Sequence, residues 1–338
     1  MVDLKRPADL PNRLLVGLSA GLDSTVLLHV LAQARRADWP ECQLRAVHVH
    51  HGLQPAADEF ARQARETCTA FNVPLTVVPL QVPQAQIQSL GLEAAARAAR
   101  YQAFAQVQAQ NEALVLGHHL DDQIETALLQ WLRGAGLDGL VSMQSWAAHR
   151  RIWRPLLGLS KQALLQYADA HCLRWTEDPS NRDTNLDRNR LRQVVLPELL
   201  SLRAGALQAM GRSIELLQQD KEVLDQVTLQ DWQTCVATLE EGDKARRRGL
   251  PEPVQPLAWL VRDRLLLLSD PRLARVLRLG LSRLGAPMPP ARRLQEFIRQ
   301  LREVSHDTRC QLLINAPGAG EKMAFQVSFR AGFVFFTQ

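Results

Sequence analysis

The run Leu14-Leu15-Val16-Gly17-Leu18-Ser19-Ala20-Gly21-Leu22-Asp23-Ser24-Thr25-Val26-Leu27-Leu28-His29 constrains this chain more than any other segment. Leu14–Leu18 reads as an apolar strand, Ser19–Asp23 as a turn with small residues, and an apolar helical pattern begins at Ser24. The first amides of a helix lack intrahelical acceptors and sit at its positive end. Small residues let a ligand approach the backbone, and Ser19, Ser24 and Thr25 add hydroxyl donors, so the turn suits an anion. The same pattern also serves as a plain tight connection.

The alternation continues. Leu44–Val49, Leu75–Val78 and Ala113–Gly117 read as strands; Ser24–Arg36, Ala57–Phe71 and Leu92–Gln110 read as helices, and another helix starts near Asp121. This predicts an α/β fold, a parallel sheet with helices on both faces, and ligands beyond the carboxyl ends of its strands. The loops of interest are then Ser19–Ser24, His50–Gln54 and His118–Asp122. From Leu191 the pattern turns helical: Leu191–Leu224 reads as a connector broken by Pro197 and Gly205, and Gly249–Pro256 as a turn or linker. Pro271–Leu284 is amphipathic, with Leu273, Leu277, Leu281 and Leu284 on one face and Arg272, Arg275 and Arg283 on the other. Met323–Phe336 alternates and predicts a closing β-hairpin. The expected organisation is a catalytic domain over 1–200, a helical linker over 201–230 and a small, mostly α domain over 231–338.

Among 338 residues 46% are apolar, enough for sizeable cores, and the net charge of +5 favours a polyanionic partner. The cysteines Cys42, Cys68, Cys172, Cys235 and Cys310 form no C-x-x-C pair, so no zinc ribbon, iron–sulfur site or disulfide framework is expected. No apolar stretch approaches the roughly 20 residues that span a bilayer, and Met1–Leu10 lacks a signal core. A cytoplasmic protein without membrane contact is the expectation.

Asp122 and Glu125 lie three apart on one helix face, beside His118 at a strand end. Two carboxylates and an imidazole can hold Mg2+, bind an ammonium group or move a proton; the alternative is a capped helix with solvated acids. The Ala-rich stretch Leu92–Tyr101 is foremost a helix with a Glu93–Arg97 pair, and Arg97 could hold a phosphate or a base edge. Trp175–Asp183 is followed by Arg188, Arg190 and Arg192, a spacing suited to phosphate backbones or to a salt-bridged face. His48, His50 and His51 have no nearby acids or cysteines in sequence, which argues against a metal cluster.

Neither G-x-x-x-x-G-K-[ST] nor G-x-G-x-x-G is present. Ser19–Ser24 reads S-A-G-L-D-S and resembles the S-G-G-x-D-S loop of the PP-loop ATP pyrophosphatases; Ala20 stands in place of the first Gly, which costs stability if φ is positive there. With Val47–Leu53, Leu92–Tyr101, His118–Thr126, Leu132–Gly136, Trp175–Asn181, Arg188–Arg192 and Leu284–Pro289 in order, the chain resembles the tRNA(Ile)-lysidine synthetases over nearly its whole length. Longer members of that family carry a further C-terminal domain that this chain is not expected to contain.

The resemblance implies that O2 of the wobble cytidine of tRNA(Ile) with a CAU anticodon attacks the α-phosphate of ATP. The ε-amine of free lysine then displaces AMP to give lysidine, which reads AUA instead of AUG. It implies ATP binding by Ser19, Ala20, Gly21, Leu22, Asp23 and Ser24, with Mg2+ at Asp23. It places the lysine ammonium at Asp122 and Glu125, His118 or a carboxylate as its base, and Arg97 at the cytosine or the adenylated intermediate. Arg188, Arg190, Arg192, Arg272, Arg275 and Arg283 would follow tRNA phosphates, as would Lys244–Arg248 and Arg292–Arg302. Oligomeric state stays open, a homodimer included. The competing readings are a thiolating PP-loop enzyme, which the scattered cysteines disfavour, an amidating one, which would need a glutamine-hydrolysing partner or domain, and a tRNA-binding protein without catalysis.

Overall fold

The computed structural model describes residues 4–50, 56–80, 82–177, 187–253, 257–304, 309–315 and 324–337. It divides into two compact units, Met1–Lys221 and Glu222–Gln338.

The first unit opens with β1 (Arg13–Gly17), α1 (Leu22–Ala37), β2 (Gln43–His50), α2 (Ala56–Phe71), β3 (Leu75–Pro79), α3 (Gln84–Leu90), α4 (Leu92–Val107) and β4 (Ala113–Val115). It continues with α5 (Leu120–Leu132), α6 (Leu137–Leu140), β5 (Trp146–Ala147), β6 (Ile152–Trp153), α7 (Lys161–Ala170) and α8 (Asp187–Arg190). The α9 helix (Leu196–Ser201) follows a π-turn at Leu191–Val195, and α10 (Ala206–Cys235) is the helix within which the division falls. The six strands lie in the order β3-β2-β1-β4-β6-β5. All pairings are parallel except β5 with β6. Leu14, Leu15 and Val16 of β1 are fully buried, because a central parallel strand is covered on both faces. That is why β1 reads as a continuous apolar run with no alternation.

The order carries the functional consequence. The chain fills β1, β2 and β3 on one side, then crosses to β4 on the other side of β1. A crevice opens beyond the carboxyl ends of β1 and β4, the topological switch point where ligands bind in open α/β sheets. The register Val16↔Val115 and Val115↔Trp153 brings the ends of β1, β4 and β6 to one edge. The β-to-α turns at Leu18–Gly21 and Leu116–His119 therefore sit side by side.

Two expectations change. Pro197 does not break the connector: helical backbone runs through from Asp187 to Ser201, with a π-turn at Leu191–Val195 just before the proline. The break falls at Gly205, whose φ is 76°. The C-terminal unit also holds more strand than a closing hairpin. It contains α11 (Leu239–Arg247), β7 (Leu260–Val261), α12 (Arg262–Leu266), α13 (Asp270–Arg283), α14 (Ala291–Glu303), β8 (Cys310–Asn315), β9 (Ala324–Arg330) and β10 (Phe333–Thr337). The strands form an antiparallel sheet ordered β7-β10-β9-β8, of which β9 and β10 are the expected hairpin. The two-residue β7 is too short to show a period of two, so sequence pattern misses it.

Leu273, Val276, Leu277 and Leu281 of α13 pack fully buried in one core with Val327 and Phe329 of β9. Gly280 lets Phe336 lie directly on α13: a Cβ there would fall 2.1 Å from the ring. We expect Gly280→Ala to destabilise this unit by about 2–3 kcal/mol through overpacking, because the ring is rigid. Urea unfolding followed by tryptophan fluorescence measures it, and an unchanged midpoint would contradict the packing described.

Candidate active site

The turn after β1 is built by its own hydroxyls. The Ser19 amide donates to Ser24 Oγ at 3.1 Å, the two hydroxyls are 3.0 Å apart, and Ser24 Oγ donates to the Gly21 carbonyl at 3.1 Å. The first bond of α1 is Thr25 N–H to the Gly21 carbonyl, so the amides of Leu22, Asp23 and Ser24 have no intrahelical acceptor. Thr176 fastens the turn from outside, donating its amide to the Ala20 carbonyl at 2.9 Å. Ala20 is fully buried with φ of 66°, the left-handed conformation that glycine would take without cost. This cradle of amides and hydroxyls at a helix N-terminus fits phosphate.

The turn after β4 meets it at van der Waals contact. A Cβ on Gly117 would stand 3.0 Å from the Asp23 carbonyl oxygen and 3.2 Å from Ser24 N, so any other residue would crowd this backbone. His119, 2% exposed, lies between the two turns. Its Nε2 is 3.7 Å from Asp23 Oδ2 and 3.5 Å from Asp122 Oδ2, and its Nδ1 is 3.4 Å from Asp121 Oδ2. Burial works against its charge, but the carboxylates of Asp121, Asp122 and Asp23 around it outweigh it and raise its pKa. The Asp122 carboxylate also accepts the His119 amide, capping α5.

Burial raises the pKa of Asp23 despite His119, Lys161 and Arg192 nearby. Its Oδ1 is buried with no hydrogen-bond partner. An orphaned carboxylate oxygen beside a phosphate cradle fits a cation carried in by the phosphates. Among the described residues no three His, Cys, Asp or Glu form a metal cage, so such a cation would take most of its ligands from phosphate and water, as Mg2+ does.

The acidic pair has partners that spacing alone does not show. Asp122 and Glu125 do share a face of α5, but two arginines already hold them. Arg188 Nε and Arg192 Nε donate to the fully buried Glu125 at 2.9 and 2.6 Å, and both Nη2 groups reach Asp122 Oδ1 at 3.2 Å. Two guanidinia offset two carboxylates, which compensates the burial of Glu125. Arg188 and Arg192 therefore face inward in this structure and do not present a phosphate-tracking surface. Arg190, on the same short helix, is exposed.

His118 is half-buried and its Nδ1 accepts from Arg154 Nε at 3.2 Å. Its pKa is well below the usual imidazole value, first through burial and then through Arg154, Arg97 and Arg188, against the pull of Asp122. Arg97 lies over the Tyr101 ring, 5.5 Å from its centroid. His48 Nδ1 donates to the Leu18 carbonyl at 2.8 Å, and His50 Nε2 meets Asp58 at 3.1 Å, while His51 lies outside the described residues. The segment 178–183 of the loop after Trp175 also lies outside them.

The arginines of α13 have intrachain partners as well. Arg272 pairs with Asp231, Arg275 reaches Asp225 and Thr228, and Arg283 lies over the Trp232 ring at 4.6 Å. Arg246, Arg299 and Arg302 are likewise paired with acids. Sequence reading missed His119, Arg154, Lys161 and Thr176. Arg154 left one signal, a lone charge inside the apolar run Ile152-Trp153-Arg154-Pro155-Leu156-Leu157.

Comparison with known proteins shows the family. A family model described as a PP-loop domain matches residues 3–199, more than half of the chain. A second, described as the TilS substrate binding domain, matches residues 260–319. The chain is 40% identical over 305 residues to a tRNA(Ile)-lysidine synthase of Yersinia pseudotuberculosis, covering 90% of this chain and 63% of that protein. It is 47% identical over 228 residues to one of Xanthomonas axonopodis pv. citri, covering 64% of this chain and 51% of the relative. It thus spans between about half and two thirds of the length of these relatives. Among solved structures, a U34-tRNA thiolase of Methanococcus maripaludis shares the fold, with TM-score 0.54 at 20% identity over 64% of this chain and 75% of that one.

We expect the His119 contacts to make stability fall with rising pH. A folded-state pKa raised above the unfolded value near 6.5 gives stabilisation that is complete below 6.5 and lost as pH climbs through the raised value. His119→Asn should lose about 3 kcal/mol at pH 6 and less at pH 8.5; equal losses at both would refute an imidazolium there. For the turn, Ala20→Gly relieves the backbone but gives up a buried methyl and adds unfolded-state freedom, terms of about 1 kcal/mol each that nearly cancel. Its thermal midpoint should stay within a few degrees of the parent. Ala20→Val should fall well below it.

Proposed function

The chain belongs to the PP-loop domain family, and from that premise we propose that it forms lysidine on tRNA(Ile) bearing a CAU anticodon. The observation that carries the reading is the pairing of a phosphate cradle with a buried carboxylate–arginine network across one sheet edge. The Ser19–Ser24 turn receives the pyrophosphate of ATP, its amides and hydroxyls meeting the charge that develops there. Mg2+, held by Asp23 and the phosphates, supplies charge neutralisation when bound.

Cytidine O2 attacks the α-phosphorus and the P–O bond to pyrophosphate breaks. The lysine amine then attacks C2, the C2–O2 bond breaks, and its electron pair leaves on the oxygen of AMP. The ammonium of the incoming lysine exchanges with a guanidinium at Asp122 and Glu125, and a carboxylate takes its proton. Arg188 or Arg192, once displaced, is available to phosphate. The cytosine must leave its stack to enter, at low cost in an anticodon loop. Arg97, with Tyr101 beneath it, stands beside His118 as a partner for the cytosine or its adenylated form. Arg190 and the exposed parts of the basic helices contribute tRNA contacts, so binding weakens steeply with salt.

Four of the five cysteines are buried, and burial pushes Cys68 up to about 12 and Cys235 up to about 11. Such thiols are poor sulfur carriers, which favours ligation over thiolation.

The test incubates the protein with ATP, radiolabelled lysine and tRNA(Ile) transcript. Label retained on tRNA with stoichiometric AMP is the expected result; AMP release without label would remove the reading. Asp122→Asn should keep tRNA affinity within a few-fold and lose lysine transfer by at least 10³-fold; transfer at the parent rate would refute its role.

A further inference from the structure

We propose that Arg154 is a positioning residue that fixes His118 as the Nε2–H tautomer, so that His118 serves the reaction as a hydrogen-bond donor and not as its base. Arg154 follows β6 directly and is buried, 7% exposed. Its Nη1 donates to the Gln144 carbonyl at 3.0 Å, it shares a side-chain hydrogen bond with Tyr101, and its Nε points at His118 Nδ1 from 3.2 Å. A guanidinium has donors only and stays protonated, so the nitrogen it addresses must offer a lone pair. In a neutral imidazole the other nitrogen then carries the hydrogen. Nδ1, the basic site, is occupied by Arg154; Nε2 is already protonated. A base at this position would have to displace a buried guanidinium first.

The register explains how the contact arises. Leu114 pairs with Ile152 and Val115 with Trp153, so one step further along both strands Arg154 comes level with the turn that carries His118. The two are 36 residues apart in sequence, and only the parallel β4–β6 pairing brings them together. Tyr101 joins Arg154 to Arg97, whose guanidinium lies over its ring. A fixed Nε2–H donor at the carboxyl edge of the sheet suits an anionic oxygen. On the reading given under Proposed function, on which this role rests, that oxygen belongs to the adenylate phosphate that departs when the C2–O2 bond breaks. The proton of the lysine ammonium goes to a carboxylate, and His118 neither gains nor loses one.

The tautomer is testable without any activity. In protein labelled with 15N-histidine, with His118→Gln identifying the signal, His118 should show an acceptor-type Nδ1 shift and an N–H-type Nε2 shift between pH 6 and 8. The reverse pattern, or a charged ring, would overturn the proposal. Arg154→Met should convert the pattern to a mixture, and Arg154→Lys, which still donates, should keep it.

Kinetics then test the role. Gln places an amide N–H where Nε2–H stands. We expect His118→Gln to keep lysine transfer within about 10-fold, while His118→Ala loses on the order of 10²-fold or more with KM for ATP little changed. If Gln is as inactive as Ala while the 15N pattern is as stated, the donor role fails and the tautomer stands. If the parent protein attaches no lysine at all, the functional reading fails, and the 15N result still decides the Arg154 assignment.

Discussion

The contact on which this molecule depends is the meeting of two β-to-α turns at a sheet edge with His119 held between them. Gly117 admits the Asp23 backbone at a distance that would crowd a side chain, and the imidazole stands between Asp23 and Asp122. Without a cation at that point, acids from α1 and α5 would face each other in a poorly solvated cleft. Like charges that close together would raise one pKa or push the turns apart. The buried His119 ring, its pKa raised by these acids, stands between them and fixes the distance between the cradle and the acids.

The remaining charge is arranged in the same way. Glu125 is fully buried and takes two guanidinia, while Arg154 is buried against neutral acceptors and an imidazole. Ordered charge of this kind is expensive to desolvate and contributes little net stability. Its value lies in preorganisation: donors and acceptors are aimed before substrate arrives, so the reaction need not reorient them. Ala20 adds a backbone held in the left-handed region, and the Thr176 amide helps keep it there. Strain in such a turn is retained where surrounding bonds over-determine it.

The elements of the first unit were legible because each signal is local. β1 through β4 and the helices α1, α2 and α4 follow from apolar runs and a helical period, and their observed bounds differ from the sequence reading by at most three residues; the short α3 escapes it. Asp122 and Glu125 share a face because they are three apart on a helix, which spacing alone dictates. What those acids touch was not legible. Arg188 and Arg192 lie more than 60 residues away, and an arginine that neutralises a buried acid looks in sequence like one that awaits phosphate. The same holds for Arg272, Arg275 and Arg283, whose amphipathic placement is clear while their partners on α10 are not.

The amino-acid order by itself determined the alternating α/β pattern, the phosphate cradle and its Ala20 irregularity, and the carboxylate pair on one helix face. These depend on periods and spacings within a few residues, which backbone geometry fixes. Tertiary structure alone decided which charges are neutralised, that His119 bridges the two turns, and that Arg154 addresses His118. Those outcomes depend on the order and register of parallel strands, and pairing between distant strands leaves no mark in the spacing of the residues it joins.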